Sequence, residues 1–264
     1  MDFSLSEQIE HIIDQTAELI CESQYVVALV GAGMSVESGI SPFRGKGGLW
    51  TKYGEPDNRG YEQLLQDPKQ WWVNRLTEQP RPEAAAFETA TPNPGHYALV
   101  EMEKMGILKH IITQNVDNLH KAAGHTNVAE IHGNRTLLRC IDCNMRFEKN
   151  EIDADLENVP PHCPECSGIV KGDTVMFGEP IPTDVMHVCQ QETLKADCML
   201  LLGTSAVVYP AAAFPSLAKQ NGAQILEINT EGSALSEICD LTINGPTGEV
   251  LPTLVQRIRE IKEI

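Results

Sequence analysis

The apolar positions of this chain switch between a helical and a strand period, and the switches divide it into elements. Ile9, Ile12, Ile13, Leu19 and Ile20 recur at near-helical spacing, which predicts an amphipathic helix over 6–22 capped by Ser6. An uninterrupted apolar run follows at 25–30, the pattern of a strand buried on both faces. It enters Gly31-Ala32-Gly33 and then small, helix-compatible residues, as a parallel strand does when it passes into a helix N-terminus. From 46 to about 94 the strand signal vanishes. Gly, Pro and Asn with short helical pieces, one of them around Trp71-Trp72, predict an inserted helical segment whose small core those tryptophans anchor.

Regular alternation then returns, with a helix at 96–105, a strand at 108–113, a short helix at 116–123 and a strand at 128–131. After a second break over 135–172 the pattern predicts a strand at 174–177, a helix at 184–194, a strand at 198–202 and a helix at 210–220. A strand at 224–228, a short strand at 241–243 and a helix running to 264 complete it. Strands alternating with helices place the chain in the α/β class, with a parallel sheet covered on both faces. The 264 residues suffice for one large domain carrying a smaller inserted module.

Charge changes the picture by exclusion. With 20 Lys+Arg against 37 Asp+Glu the net charge is -17, which argues against nucleic acid or an anionic membrane as the partner, because phosphate surfaces are bound by clustered positive charge. A basic peptide suits such a surface better. The N-terminus carries Asp2, Glu7 and Glu10 in place of a basic leader, and no 18-residue apolar run occurs, so a cytoplasmic protein is expected.

The eight cysteines do not read as a disulfide scaffold, since four of them form two tight pairs. Cys140-x-x-Cys143 and Cys163-x-x-Cys166 flank the stretch 144–162, and two thiolates from each of two tight turns complete a tetrahedral Zn(II) shell. Four thiolates leave no position for water, so the zinc is expected to be structural. His162 is an alternative ligand to Cys163, although the paired spacing favours sulfur. Cys21, Cys189, Cys198 and Cys239 have no partner spacing and read as buried free thiols.

Candidate chemistry collects at the carboxyl ends of the predicted strands. Gly31 and Gly33 let a backbone approach a pyrophosphate, helped by the dipole of the following helix. The stretch is no dehydrogenase fingerprint, because Val36 stands where the third glycine belongs and no acidic residue sits about 20 residues on at the tip of a second strand. Phe43-Arg44-Gly45-Lys46-Gly47-Gly48 supplies an aromatic, cations and glycines, the makings of a loop that closes over a charged ligand. Gln114-Asn115-Val116-Asp117 and His132-Gly133-Asn134 leave successive strands and can face one crevice, where His132 is a candidate general base near neutral pH. Gly203-Thr204-Ser205 and Asn229-Thr230-Glu231 offer N–H, hydroxyl and amide groups suited to a nucleoside.

With these residues assembled the chain resembles a sirtuin. GAGMSVESGISPFRGKGGLW at 31–50, TQNVDNLH at 113–120, HGN at 132–134, the two C-x-x-C pairs, MFGEP at 176–180, GTSAVVYPAA at 203–212 and INTEGS at 228–233 follow the family's order over nearly the whole chain. The resemblance implies one catalytic unit. Its Rossmann-like large domain covers about 1–45, 92–134 and 173–264, and its small domain joins a helical insertion, about 46–91, to the zinc module, about 135–172. It implies an NAD-dependent protein-lysine deacylase, a deacetylase first of all, that consumes NAD as co-substrate, transfers the acyl group to ADP-ribose and releases nicotinamide.

By the same resemblance Gly31, Ala32, Gly33, Arg44, Gly203, Thr204, Ser205, Asn229 and Glu231 bind the ADP-ribose part, and Phe43 shields the reacting face. Gln114, Asn115, Val116 and Asp117 line the nicotinamide and ribose pocket, with Asn115 and the base His132 carrying the chemistry. The acyl-lysine peptide is expected as an extended strand between Gly178-Glu179 and Val208-Tyr209, with Val175 and Phe177 walling the lysine tunnel.

Three departures stand out. Pro42, where many members have aspartate, removes a carboxylate and an N–H donor from the cofactor loop. Lys171-Gly172-Asp173 lacks the proline that often precedes FGE, which predicts a looser exit from the zinc module. Glu37-Ser38-Gly39 resembles the branch containing desuccinylases, yet the stretch 71–78 has Arg75 without the tyrosine of a Tyr-x-x-Arg pair, so uncharged acyl groups are expected. Protein mono-ADP-ribosyl transfer on the same fold is the alternative activity. A non-catalytic NAD-sensing protein would lose the polar crevice that Asn115, Asp117 and His132 retain.

Overall fold

The computed structural model describes residues 7–45 and 47–263; Ser6, expected as a helix cap, Lys46 of the glycine loop and Ile264 lie outside them. Helix α1 (Glu7–Glu22) leads into strand β1 (Val26–Val30) and a 3-10 helix, Ala32–Ser38. The first break holds four short helices, α2 (Leu49–Tyr53), α3 (Gly60–Gln66), α4 (Pro68–Thr77) and α5 (Ala84–Thr89). Then come α6 (Pro94–Lys104), β2 (Leu108–Thr113), α7 (Leu119–Ala123) and β3 (Val128–Glu130). The second break contains β4 (Leu137–Cys140), β5 (Arg146–Glu148) and β6 (Val170–Gly172). The chain closes through α8 (Thr183–Lys195), β7 (Cys198–Leu202), α9 (Phe214–Gln220), β8 (Gln224–Asn229), β9 (Leu241–Asn244) and α10 (Thr247–Lys262).

Six strands form one parallel sheet in the order β3-β2-β1-β7-β8-β9. All five residues of β1 and of β7 are buried because both faces are covered, which is why their sequences are apolar without alternation. Val26, Ala28 and Val30 pack into the cluster made with α1, α6 and α10, while Val27 and Leu29 face the opposite cluster under α8 and α9. Burying each of the three valines and Leu29 contributes about 1.5–3 kcal/mol. Order reverses at β1, whose neighbours β2 and β7 lead to the two edges. The register sets Val30 beside Thr113 and Leu202, Thr113 beside Glu130, and Leu202 beside Ile228, so the strands end flush and their following loops emerge along one edge.

Four expectations change. Residues 174–177 form no strand; the strand of that region is β6, antiparallel to β4 in a separate three-stranded sheet, β5-β4-β6. The Val175 N–H is given to the His132 carbonyl, and Glu179 closes a turn on Met176 through Gly178 at φ 81, so the segment bends before it can pair. The helix expected after Gly33 is only the 3-10 helix, stopped by Gly39 at φ 86. The short helix expected from 116 begins at Leu119, because Asn118 is left-handed at φ 68 and Asp117 caps the Leu119 N–H. Trp72 does not anchor a core private to the helical insertion: it is buried among Leu138, Cys140, Phe147 and Val170, and its indole N–H donates to the Val170 carbonyl at 3.0 Å.

The rings of His96, His120 and His125 pack in tilted and edge-on contacts at 4.9 and 5.6 Å between centroids. Four of their ring nitrogens have no hydrogen-bond partner among the described residues. Burial lowers all three pKa values, that of His96 to about 4 and that of His120 well below its ordinary value. A histidine with a depressed folded pKa stabilises the fold above its unfolded pKa near 6.5, and that contribution is lost as pH falls toward the folded value. Denaturation series at stepped pH are therefore expected to show stability falling between pH 6.5 and 4, with His120→Gln flattening the loss; equal slopes would remove the cluster as its cause.

Candidate active site

The loops after β1 and β7 meet closely enough to exclude side chains. Gly31 N–H donates to the Leu202 carbonyl at 2.9 Å and Gly33 N–H to the Gly203 carbonyl at 2.8 Å. A Cβ on Gly33 would come within 2.7 Å of the Gly203 Cα. These glycines are therefore required by backbone-to-backbone packing, and their own N–H groups are given to carbonyls of β7 and of the residue that follows it. Thr204 sits in the same junction, its hydroxyl accepting from Gln114 Nε2 at 2.9 Å and its carbonyl from Asn229 Nδ2 at 2.9 Å. Thus Gly31, Gly33, Gln114, Gly203, Thr204 and Asn229, distant in sequence, form one floor. Ala32 lies beside them half-buried, and Ser205 and Glu231 are exposed at the rim.

Next to this floor runs a buried polar chain. Asn115 Nδ2 donates to the Gly31 carbonyl at 3.0 Å and to Ser35 Oγ at 3.2 Å, and Ser35 Oγ donates to Asp117 Oδ2 at 2.7 Å. Desolvation is the largest influence on Asp117 and raises its pKa, against hydrogen bonds from Ser35 and Leu119 that favour the carboxylate. The arrangement fixes the 114–117 loop against the β1 turn. Ser35 is a residue that sequence reasoning did not single out; it stood within the quoted glycine motif, but its partners come from β2.

His132 lies where β3 ends. Its Nδ1 is 3.2 Å from the Gln114 carbonyl oxygen, which requires an N–H at that position and leaves Nε2 with the lone pair. Burial lowers its pKa below the ordinary value, partly offset by that bond, so the ring is neutral at pH 7. Val116 accepts the Arg135 N–H at 2.9 Å, joining the two loops.

Phe43 and Arg44 of the glycine-rich loop are gathered around Trp50. The Phe43 and Phe177 rings lie 5.0 and 5.6 Å from it, and the Arg44 guanidinium stacks over it at 4.2 Å while pairing with Glu55 at 3.0 Å. Trp50 thus bridges the loop to the FGE turn, a role no local pattern indicated. The Pro42 carbonyl accepts the Leu49 N–H at 2.9 Å, so the loop closes on itself around the proline. Phe177, Gly178 and Tyr209 are exposed, with Val175 and Val208 half-buried. The Glu179 carboxylate does not face this groove: it is buried against Arg139 at 2.6 Å and Lys171 at 2.9 Å, leaving only its backbone to the rim.

In the second break the four sulfurs of Cys140, Cys143, Cys163 and Cys166 all lie within 4.8 Å of one another. Cys140 and Cys166 are 3.5 Å apart and Cys143 and Cys163 3.7 Å, close to the separation of about 3.8 Å that tetrahedral Zn–S bonds of about 2.3 Å impose. Each pair sits in a matched turn ending in a left-handed residue, Asn144 at φ 60 and Ser167 at φ 63. His162 does not join the four sulfurs that converge among the described residues, and its Nδ1 lies 3.0 Å from the Ser167 carbonyl oxygen. The donor set fits a closed zinc site in every respect.

A doubly covered parallel sheet with a polar crevice at its switch point, joined to a four-cysteine module, defines a nucleotide-binding α/β protein with a structural metal centre. The Sir2 family model matches residues 31–210, and the chain belongs to the Sir2 family. The NAD-dependent protein deacylase of Pyrococcus furiosus is 41% identical over 261 residues, which is 96% of this chain and 100% of the relative. That of Pyrococcus abyssi is 39% identical, over 95% of this chain and 99% of the relative. Among solved structures, a Sir2 homolog–NAD complex aligns at TM-score 0.76 with 40% identity, covering 94% of each chain. A Sir2–p53 peptide–NAD+ complex aligns at 0.73 with 28% identity, covering 94% of this chain and 98% of the other.

Because a structural zinc site contributes its binding energy to folding, Cys140→Ser or Cys166→Ser is expected to lose bound zinc and to melt at a lower temperature than the parent. Zinc content by atomic absorption with a melting scan decides it, and retention of both in either variant would overturn the four-sulfur site.

Proposed function

We propose that this chain is an NAD-dependent protein-lysine deacylase, with deacetylation its first activity. The observation that carries the reading is the juxtaposition at one sheet edge of a neutral, tautomer-fixed His132 with the Asn115–Ser35–Asp117 chain and the Gly31–Gly203 floor. NAD as co-substrate supplies the ribose carbon that the acyl-lysine carbonyl oxygen attacks as nicotinamide departs, and the hydroxyl that finally carries the acyl group.

The protein's part is positioning and one proton transfer. Asn115 and Asp117, locked through Ser35, present a rigid polar wall for the nicotinamide and ribose, and Phe43 and Arg44 on Trp50 form the cover that keeps water from the reacting face. The ribose hydroxyl must lose a proton to attack the acyl carbon, and His132 Nε2 is free to take it. Gly31, Ala32, Gly33, Gly203, Thr204, Ser205, Asn229 and Glu231 take the ADP-ribose part. The peptide lies extended between the rims at 178–179 and 208–209, recognised through backbone bonds that tolerate varied sequence.

Uncharged acyl groups fit the helical insertion, where Arg75 stacks on Trp71 and Trp72 is committed to the Val170 carbonyl. In this reading 46–91 and 135–172 move as one small domain, consistent with Trp72 sharing its core with the zinc module. No described helix is long and apolar enough to cross a membrane, and all eight cysteines are free of disulfides, which supports placing the protein in the reducing cytoplasm.

Incubation of an acetyl-lysine peptide with and without NAD, read by mass spectrometry, is expected to give NAD-dependent loss of acetyl and an equal amount of O-acetyl-ADP-ribose. Nicotinamide release that leaves acyl-lysine intact and adds mass to a protein would instead identify ADP-ribosyl transfer. The lowered His132 pKa predicts deacetylation that stays level from pH 8 to 6.5 and declines only below it, and His132→Ala is expected to reduce it by about a hundredfold or more. Undiminished acetyl removal in that variant would take the base role away from His132.

A further inference from the structure

Seven charged side chains form a single alternating row from the large sheet to the small one. Lys121 pairs with Glu130 at 2.7 Å, Glu130 with Arg146 at 3.1 Å, and Arg146 with Asp173 at 3.0 Å. Asp173 pairs with Arg139 at 3.0 Å, Arg139 with Glu179 at 2.6 Å, and Glu179 with Lys171 at 2.9 Å. Arg139 and all three carboxylates have side chains at most 4% exposed. Buried rows of this kind gain little stability over apolar packing, since desolvation offsets most of the attraction. Their geometry, by contrast, is strongly fixed, because every carboxylate has two cations and every arginine a two-pronged fork.

The row holds more than itself at its centre. The Asp173 carboxylate accepts the Asn134 backbone N–H at 2.7 Å, and Asn134 Nδ2 donates to Glu130 at 2.6 Å. The neighbouring backbone contact, Val175 N–H to the His132 carbonyl at 2.9 Å, holds the other side of the histidine. Between them Gly133, at φ 78, runs so near the Asp173 carbonyl that a Cβ would overlap it. At the far end Glu179 accepts the Met176 N–H at 2.8 Å, shaping the turn that carries the exposed Phe177 and Gly178. Arg139 immediately precedes Cys140, so the metal knuckle is tethered directly to the row.

We propose that Asp173 is a positioning residue for the reaction: by holding the Asn134 N–H, Arg139 and Arg146 at once, it sets the place of His132. This rests on the reading of His132 as the base. Far from loosening the exit of the zinc module, Lys171-Gly172-Asp173 is the segment that ties that module to the catalytic loop.

The test separates the two halves of the reaction. Departure and return of nicotinamide leave no proton for His132 to take, whereas attack by the ribose hydroxyl releases one. Exchange of labelled nicotinamide into NAD in the presence of acetyl-lysine peptide therefore reports the first half without the base, and acetyl removal reports both. In the zinc-loaded Asp173→Asn protein, acetyl removal is expected to fall about tenfold or more while exchange stays within about threefold, since a base displaced by about an ångström loses that much rate. Equal losses in the two assays, or none in either, would overturn the proposal.

Should that variant fail to fold, Arg146→Met removes a half-exposed member of the row and is expected to shift the same ratio in the same direction by a smaller factor. A folded Arg146→Met protein with the parent ratio would overturn the proposal as well. His132→Ala serves as the reference. If it leaves the ratio unmoved, the base assignment fails and the positioning role with it; if it moves the ratio while Asp173→Asn does not, only the positioning role fails.

Discussion

Everything in the crevice depends on how closely two backbones pass at the end of the parallel sheet. The loops after β1 and β7 interlock through Gly31, Gly33 and Gly203, each of which would lose its place if it carried a Cβ. Because the register of β2 and β7 is flush with β1, this one contact also fixes Gln114 and Thr204 opposite each other. The glycines thus set the distance between the two walls of the crevice. Both of the N–H groups of Gly31 and Gly33 are given to carbonyls at the end of β7, Leu202 and Gly203.

The second constraint is electrostatic. A chain of net charge -17 keeps four of its cations in a largely buried row with three carboxylates, at the seam between the large sheet and the zinc module. Burying charge there is costly unless every group is paired, and each carboxylate meets two cations. The row converts the zinc module from a bystander into a support. Its knuckle after β4 fixes Arg139, and Arg139 reaches both the loop behind His132 and the turn behind Phe177. The apolar part of the same seam, Trp72 with Leu138, Phe147 and Val170, joins the helical insertion to it.

Much of this was legible along the chain. The apolar runs of β1 and β7 announced strands buried on both faces, the two breaks in alternation marked the insertion and the metal module, and the paired C-x-x-C spacing named four ligands that the fold does bring together. What failed was local. The run at 174–177 has strand composition, but its N–H groups are taken by the His132 carbonyl and the Glu179 carboxylate. The helix expected at 116 is held off by a left-handed Asn118 and a capping Asp117. In each case a hydrogen bond from a side chain or a distant loop outweighed a weak local preference.

By itself, then, the sequence determined the α/β class, the order of elements, the metal ligands and the identity of the polar residues at the strand ends, because hydrophobic period, turn chemistry and ligand spacing are properties of neighbours along the chain. Tertiary structure alone decided which of those polar residues touch: Ser35 with Asp117, Gln114 with His132, Trp50 with Phe177, and Asp173 with Asn134. It also decided that Glu179 faces inward to Arg139 and Lys171. The reason is geometric. Contacts across a parallel sheet join residues whose separation in sequence is set by the intervening crossovers, and only the register of buried strands converts that separation into a distance.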